Sequence, residues 1–193
     1  MEQLKIGLAM TGSFCTFDRV LTALEALGAD FDITPVMSQN AAETDTRFGG
    51  AAEFRARLEK IAGRDIICTI PDAEPIGPQH MFDVLVIAPC TGNTLAKLAN
   101  GITDTCVTMA AKSHLRNGRP VLLAVATNDG LSGSAKNIGE LLARKNIYFV
   151  PFRQDDAQNK PRSLAADYSR LREAIIAAAQ GVQLQPILAA PEN

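Results

Sequence analysis

The chain has no tryptophan, 5% aromatic residues, two histidines and four cysteines among 193 residues. With so few large rings, its core has to be built from Leu, Ile, Val, Ala and Met, and Ala-rich faces fit either closely packed helices or a subunit interface. The cysteines, at 15, 68, 90 and 106, form no Cys-x-x-Cys pair, and each lies in or beside an apolar segment. Reduced core thiols are therefore expected, rather than a zinc site or a disulfide framework. A basic excess is also missing: 19 Lys and Arg stand against 21 Asp and Glu, a formal charge of -2. That balance argues against nucleic acid as a partner. The longest apolar runs, such as residues 84–89 and 121–126, are strand-sized and far below the ~20 residues needed to cross a bilayer, so no membrane partner is expected. The first residues lead straight into an apolar strand pattern, without the charged and apolar regions of a leader, and the cytoplasm is the expected compartment.

What is present is an alternation of short apolar runs and helical periodicities. Residues 4–10, 31–37, 84–88, 121–126 and 147–150 read as strands, with 66–70 a short strand or extended excursion. The continuous apolar run at 84–88 fits a central parallel strand covered on both faces. Phe17, Val20, Leu21, Leu24 and Leu27 recur at helical spacing, with Gly28 as the stop. Further helices are expected over 51–61, 104–115 (with Val107, Ala111 and Leu115 inward), 138–143 and 164–179, and a short one opens at 95–98. Segments 38–50, 71–78 and 152–161 read as loops. The pattern predicts one α/β domain over residues 1–193, a three-layer, open, mostly parallel sheet of five or six strands, with a poorly patterned tail from about 183.

In such a sheet, ligands bind outside the carboxyl ends of the strands. That rule selects four segments, residues 10–14, 38–40, 88–94 and 126–134. Thr11-Gly12-Ser13 places small residues between a strand and a helix, where hydroxyls and helix-start N–H groups hold an anion or simply cap the helix. Pro89-Cys90-Thr91-Gly92-Asn93-Thr94 offers two hydroxyls and an amide for a phosphate or the edge of a planar heterocycle. Residues 127–137 carry more polar groups and glycines than a plain connection needs. Gly-x-Gly-x-x-Gly and the Walker A pattern are both missing, which disfavours a standard dinucleotide site and a P-loop NTPase.

The segment 89–94, followed by Lys97-Leu98-Ala99-Asn100-Gly101-Ile102-Thr103-Asp104, resembles the Pro-Ala-Ser-Ala-Asn-Thr motif and its continuation in the flavoprotein family that includes homo-oligomeric flavin-containing cysteine decarboxylases. The resemblance implies a Rossmann-like flavoprotein fold and a homo-oligomer built from trimers. It implies FMN on this chain, with phosphate near Gly12, Ser13 and Ser38, and with Thr91, Asn93 and Thr94 near phosphate or ring. Asn128 stands at the Asn of the decarboxylases' Met-Asn motif. Cys90 and Gly92 replace the two motif alanines, Thr127 replaces the Met, and neither His80 nor His114 matches the decarboxylases' catalytic histidine. Peptidyl-cysteine decarboxylation is thus the less favoured activity, and a non-catalytic scaffolding subunit is the other alternative.

Segments 128–138, 151–156 and 160–164 resemble the branch of that family whose members act as the B subunit of a pyridine-dicarboxylate synthase. This branch implies a separate A subunit carrying NADP, and oxidation of a dihydropyridine-type intermediate of the lysine pathway during endospore formation. Lys136, Arg153 and Lys160 are then the basic residues available for two substrate carboxylates, Arg153 having the planar fork that matches one. Asp155 and Asp156 are candidates to orient these bases or to accept a proton.

Overall fold

The computed structural model describes residues 3–27 and 30–190; Gly28, the expected stop of the first helix, lies outside them. Four parallel strands, β1 (Leu4–Met10), β2 (Phe31–Met37), β3 (Val84–Cys90) and β4 (Val121–Thr127), run in the order β2-β1-β3-β4. Alternation along them sends Ile6, Leu8, Met10, Val84 and Val86 to one face and Ala9, Leu85, Ile87, Leu123 and Val125 to the other. On the first face pack α1 (Phe17–Leu27), α3 (Ala51–Ala62) and α8 (Leu171–Ala179); on the second, α5 (Gly92–Ala99), α6 (Cys106–Arg116) and α7 (Ala135–Leu142). The helix α1 buries Phe17, Val20, Leu21, Leu24 and Leu27, the stripe its sequence predicts.

The sheet has seven strands rather than five or six. Beyond β4, the ladder divides. Val121–Leu123 pair in parallel with β5 (Ile147–Phe149), which is only three residues long. Past its end, Ala126 and Thr127 pair antiparallel with Ala165 and Leu164 of β7 (Leu164–Ala166), and β7 pairs with β6 (Phe152–Arg153). This hairpin satisfies backbone groups that β5 leaves open at the carboxyl half of β4. It corrects two expectations: 152–161 is not all loop, and the last helix does not begin at Leu164. Strands of two and three residues are too short to show a period of two.

Other departures have local causes. Residues 39–43 form a helical turn, α2 (Gln39–Glu43), capped by Ser38 and burying Ala41 and Ala42. The proline-rich stretch is helical at α4 (Ile70–Ala73) and the 3-10 turn Glu74–Ile76, because Pro71 and Pro75 occupy first-turn positions, where no N–H is required. Ile67 adds a single bridge to Val36. In α6 the inward set is Val107, Ala110, Ala111 and His114, at steps of three, one and three, while Leu115 is only half-buried. The alanines of α6 and α8 pack mainly onto the sheet. Cys90 and Cys106 are buried and Cys68 partly so, but Cys15 is exposed, at the start of the helix that follows β1. Among the described residues no helix is long and apolar enough to cross a membrane.

Candidate functional site

The loops after β1 and β3 are joined by one buried hydroxyl. Thr11 Oγ1 donates to the Pro89 carbonyl at 2.7 Å and accepts the Thr91 N–H at 3.1 Å. The Ala88–Pro89 peptide is cis. Ser13 makes no capping hydrogen bond to the turn Phe14–Thr16 that it precedes, so capping does not account for its hydroxyl.

Three helix starts meet beside this junction. Ser38 Oγ caps α2 by accepting the Ala41 N–H at 3.4 Å. Thr91 caps α5 by accepting the Thr94 N–H at 3.1 Å, and Thr105 caps α6 in a reciprocal box with Thr108. A cavity of ≈ 430 Å³ lies between them, lined by Gly12, Ser38, Asn40, Asn93, Thr94 and Lys97 among others. N–H groups and partial positive charge at helix starts favour an anion, with α5 and α6 supplying the longer dipoles. Lys97 Nζ sits 2.8 Å from Asp104; its hydrogen bond holds the Asp104 carboxyl below the usual range.

A second cavity of ≈ 220 Å³ shares Gly12 and Thr91 with the first and extends to Ser13, Cys15, Thr127, Asn128 and Asp155. Thr127, on its lining, belongs to a polar triangle. Thr127 Oγ1 donates to Asp129 Oδ1 at 2.5 Å, and buried Ser134 Oγ donates to the same oxygen at 2.8 Å. The Thr127 bond, with that of Ser134, holds Asp129 below the ordinary carboxylate range despite partial burial. A Cβ on Gly92 would lie 2.6 Å from both hydroxyl oxygens and 2.9 Å from Asp129 Oδ1. The triangle therefore fills the space that a methyl group would need, a physical reason for glycine where the motif has alanine. We predict that Gly92→Ala lowers stability by about 1–3 kcal/mol through overpacking. Denaturant unfolding measures this, and an unchanged midpoint would show that the loops yield freely.

The polar segments expected to form the specialised part of the site do pack together. Leu131 N–H donates to the Arg162 carbonyl at 2.9 Å, and Ser163 Oγ to the Thr127 carbonyl at 3.3 Å. Of the residues singled out in the sequence, Gly12, Ser13, Ser38, Thr91, Asn93, Thr94, Asn128 and Asp155 line the joined cavities. Lys136, Arg153, Asp156 and Lys160 line neither. Lys136 is exposed in the first turn of α7. Asp156 accepts the Asn159 N–H at 2.9 Å, which keeps its pKa low and closes a turn. Arg153 donates to Asp167 at 3.0 Å, both side chains being largely buried. Lys160 is exposed, its Nζ 3.9 Å from Asp155. Gln39 and Asn40, in the loop selected after the second strand, also line the first cavity, while sequence reasoning missed Lys97 and Thr105 there. A Ser or Thr three residues before another hydroxyl, as at Thr105 and Thr108, is the capping signal that would have found Thr105.

An open parallel sheet with helix starts gathered over its carboxyl edge, around a hydroxyl-rich anion cavity, defines a nucleotide- or phosphate-binding α/β protein. The chain belongs to the flavoprotein family, whose model matches residues 1–165. It is 44% identical to the B subunit of dipicolinate synthase from Bacillus subtilis over 95% of this chain and 92% of that one. The crystal structure of the B subunit of dipicolinate synthase from Bacillus halodurans superposes with a TM-score of 0.88 at 42% identity, covering 98% of this chain and 97% of the other. An FMN-dependent cysteine decarboxylase shares the fold at 22% identity and a TM-score of 0.63, over 92% and 98% of the two chains.

Proposed function

We propose that this chain is the FMN-binding subunit of a dipicolinate synthase. It acts with an NADP-carrying A subunit to oxidise a dihydrodipicolinate-type lysine-pathway intermediate to dipicolinic acid, in the mother-cell cytoplasm of a sporulating bacterium. The observation that carries the reading is the convergence of the Gly12-Ser13 loop and the capped starts at Ser38, Thr91 and Thr105 on one anion cavity. The 44% identity to the B subunit of a dipicolinate synthase supports it.

Gly12, Ser38 and Thr105 would hold the flavin phosphate, with Ser13 beside them on the second cavity, and Thr91, Asn93 and Thr94 would orient the rest of the nucleotide. A bound flavin supplies a two-electron acceptor or relay that no side chain provides. Aromatising a dihydropyridine removes two electrons and two protons. NADP on the A subunit would supply the hydride acceptor, and the remaining proton would go to a carboxylate, for which Asp155 lines the second cavity and Asp156 does not. Asn128 binds substrate there. Arg153 acts on the site indirectly, through the hairpin that leads to Asp155, and Lys136 has no contact with either cavity.

Decarboxylation is the weaker reading. His114 packs against Phe82, at the amino end of β3, and His80 lies in the turn just before it, so both sit at the opposite end of the sheet from the cavities. The synthase reading is tested by titrating the purified protein with FMN, alone and with the A subunit, and by assaying synthesis with each subunit separately and together. We expect saturable flavin binding and synthesis by the pair. Failure to bind FMN in either setting would reject the cofactor, and undiminished synthesis by the A subunit alone would reject an enzymatic role. The assembly is proposed to be trimer-based, and light scattering across a dilution series reads it directly.

A further inference from the structure

At Thr127 and Asp155 the second cavity offers a ligand hydrogen-bond acceptors. A threonine hydroxyl has one proton, and that of Thr127 is committed to Asp129 Oδ1 at 2.5 Å. Ser134 commits its own proton to the same oxygen at 2.8 Å. What Thr127 Oγ1 has left for a ligand is lone pairs alone. Asp155 lines the same cavity as a second acceptor, and among the described residues no Lys, Arg or His lines it. Lys160 lies 3.9 Å from Asp155 and outside the lining, with its side chain 57% exposed. An anion placed against Thr127 Oγ1 and Asp155 would meet two acceptors. A ring N–H would meet two groups that require a donor. The triangle occupies the space beside Gly92 that a side chain there would need, since a Cβ would be 2.6 Å from Thr127 Oγ1.

We infer that Thr127, oriented by Asp129, is a specificity-determining residue that reads a ring N–H of the ligand, while anionic groups are directed to the cavity beneath the helix starts. This deepens the proposed function and rests on it. Two ring N–H donors fit that chemistry: N3–H of the flavin, and the ring nitrogen of the reduced pyridine substrate when its imine is protonated.

The test uses the full chain and its complex with the A subunit. In the first arm, FMN and N3-methyl-FMN are titrated into wild type, Thr127→Val and Thr127→Ser. Valine keeps the branched shape but has no acceptor, and serine keeps the acceptor. If the flavin is the donor, wild type and Thr127→Ser bind FMN about tenfold more tightly than the methylated probe, the weight of one buried hydrogen bond, and Thr127→Val binds both alike. In the second arm, steady-state kinetics of the reconstituted complex are measured. If the substrate is the donor, Thr127→Val raises KM about tenfold and Thr127→Ser restores it, with no discrimination between the flavins. Denaturant midpoints confirm that the variants are folded. Equal binding of both flavins together with an unchanged KM in Thr127→Val overturns the inference and leaves the synthase reading standing. Absence of any flavin binding by wild type, with no synthesis by the complex, removes both.

Discussion

Wild-type stability is expected to fall by about 3 kcal/mol between pH 6.5 and pH 4 through one residue, His114, with carboxylates adding their own losses at the acid end. His114 is 1% exposed, and its Nε2 has no hydrogen-bond partner among the described residues. Burial is the main cause that lowers its pKa to about 4 from an ordinary 6.5, and the Arg119 cation adds to it; Pro120 and Asp83 act in the opposite direction. The folded protein therefore keeps the ring neutral where the unfolded chain protonates it. Because the folded value is depressed, the stabilisation is complete above pH 6.5 and is lost as pH falls toward 4. Unfolding takes up about one extra proton in that window. Comparing denaturant curves of wild type and His114→Gln isolates the contribution, since the variant lacks the titrating ring and retains the carboxylates. Parallel stability profiles for the two proteins between pH 6.5 and 5 would show that the ring is protonated in the folded state after all.

Arg153→Ala is expected to lower stability by about 2–3 kcal/mol, somewhat less than loss of one partner from a fully buried ion pair. The two side chains are 15% and 17% exposed. Asp167 also accepts the Ser169 hydroxyl at 2.6 Å and the Ser169 N–H at 3.2 Å, while its own N–H donates to the Pro151 carbonyl. Burial raises the Asp167 pKa, but the bonds from Ser169 and the charge of Arg153 outweigh it and hold the carboxyl below its ordinary value. Removing Arg153 leaves that carboxylate undercompensated at the base of the β6–β7 hairpin. Arg153→Lys keeps the charge, loses the fork, and should cost about half as much. Synthase activity of the reconstituted complex should fall in the same order, through displacement of the hairpin. Urea unfolding beside steady-state kinetics separates the two effects. A stable Arg153→Ala protein with sharply reduced turnover would return Arg153 to direct substrate contact.

Much of the nucleotide end was legible because small polar residues at a strand's carboxyl end serve either a helix cap or a ligand, and both place them at the same edge of the sheet. Gly12, Ser38, Thr91 and Asn93 were located by their position after apolar runs, and the structure gathers them around one cavity. The charged residues are a different case, since Lys136 and Arg153 line neither cavity. Lys136 and Arg153 were selected for charge, yet charge says nothing of direction, and Arg153 is engaged by an aspartate 14 positions away. Nor did spacing reveal that Thr127, Asp129 and Ser134 converge, because their meeting depends on how the 127–134 loop closes over Gly92.

The parallel sheet, its covered faces and the strand ends where ligands bind all follow from local sequence pattern. Apolar runs such as Val84–Ile87 bury on both sides, and the periodicity of α1 leaves one choice of inward face. The hairpin of β6 and β7, the inward turn of His114 and the meeting of Thr127, Asp129 and Ser134 arise from tertiary contacts instead. Short-range patterns record burial and chain direction. The proton donated by Thr127, the ion pair of Arg153 and the pairing of Ala126 with Ala165 are set by groups that meet only after the chain has closed on itself.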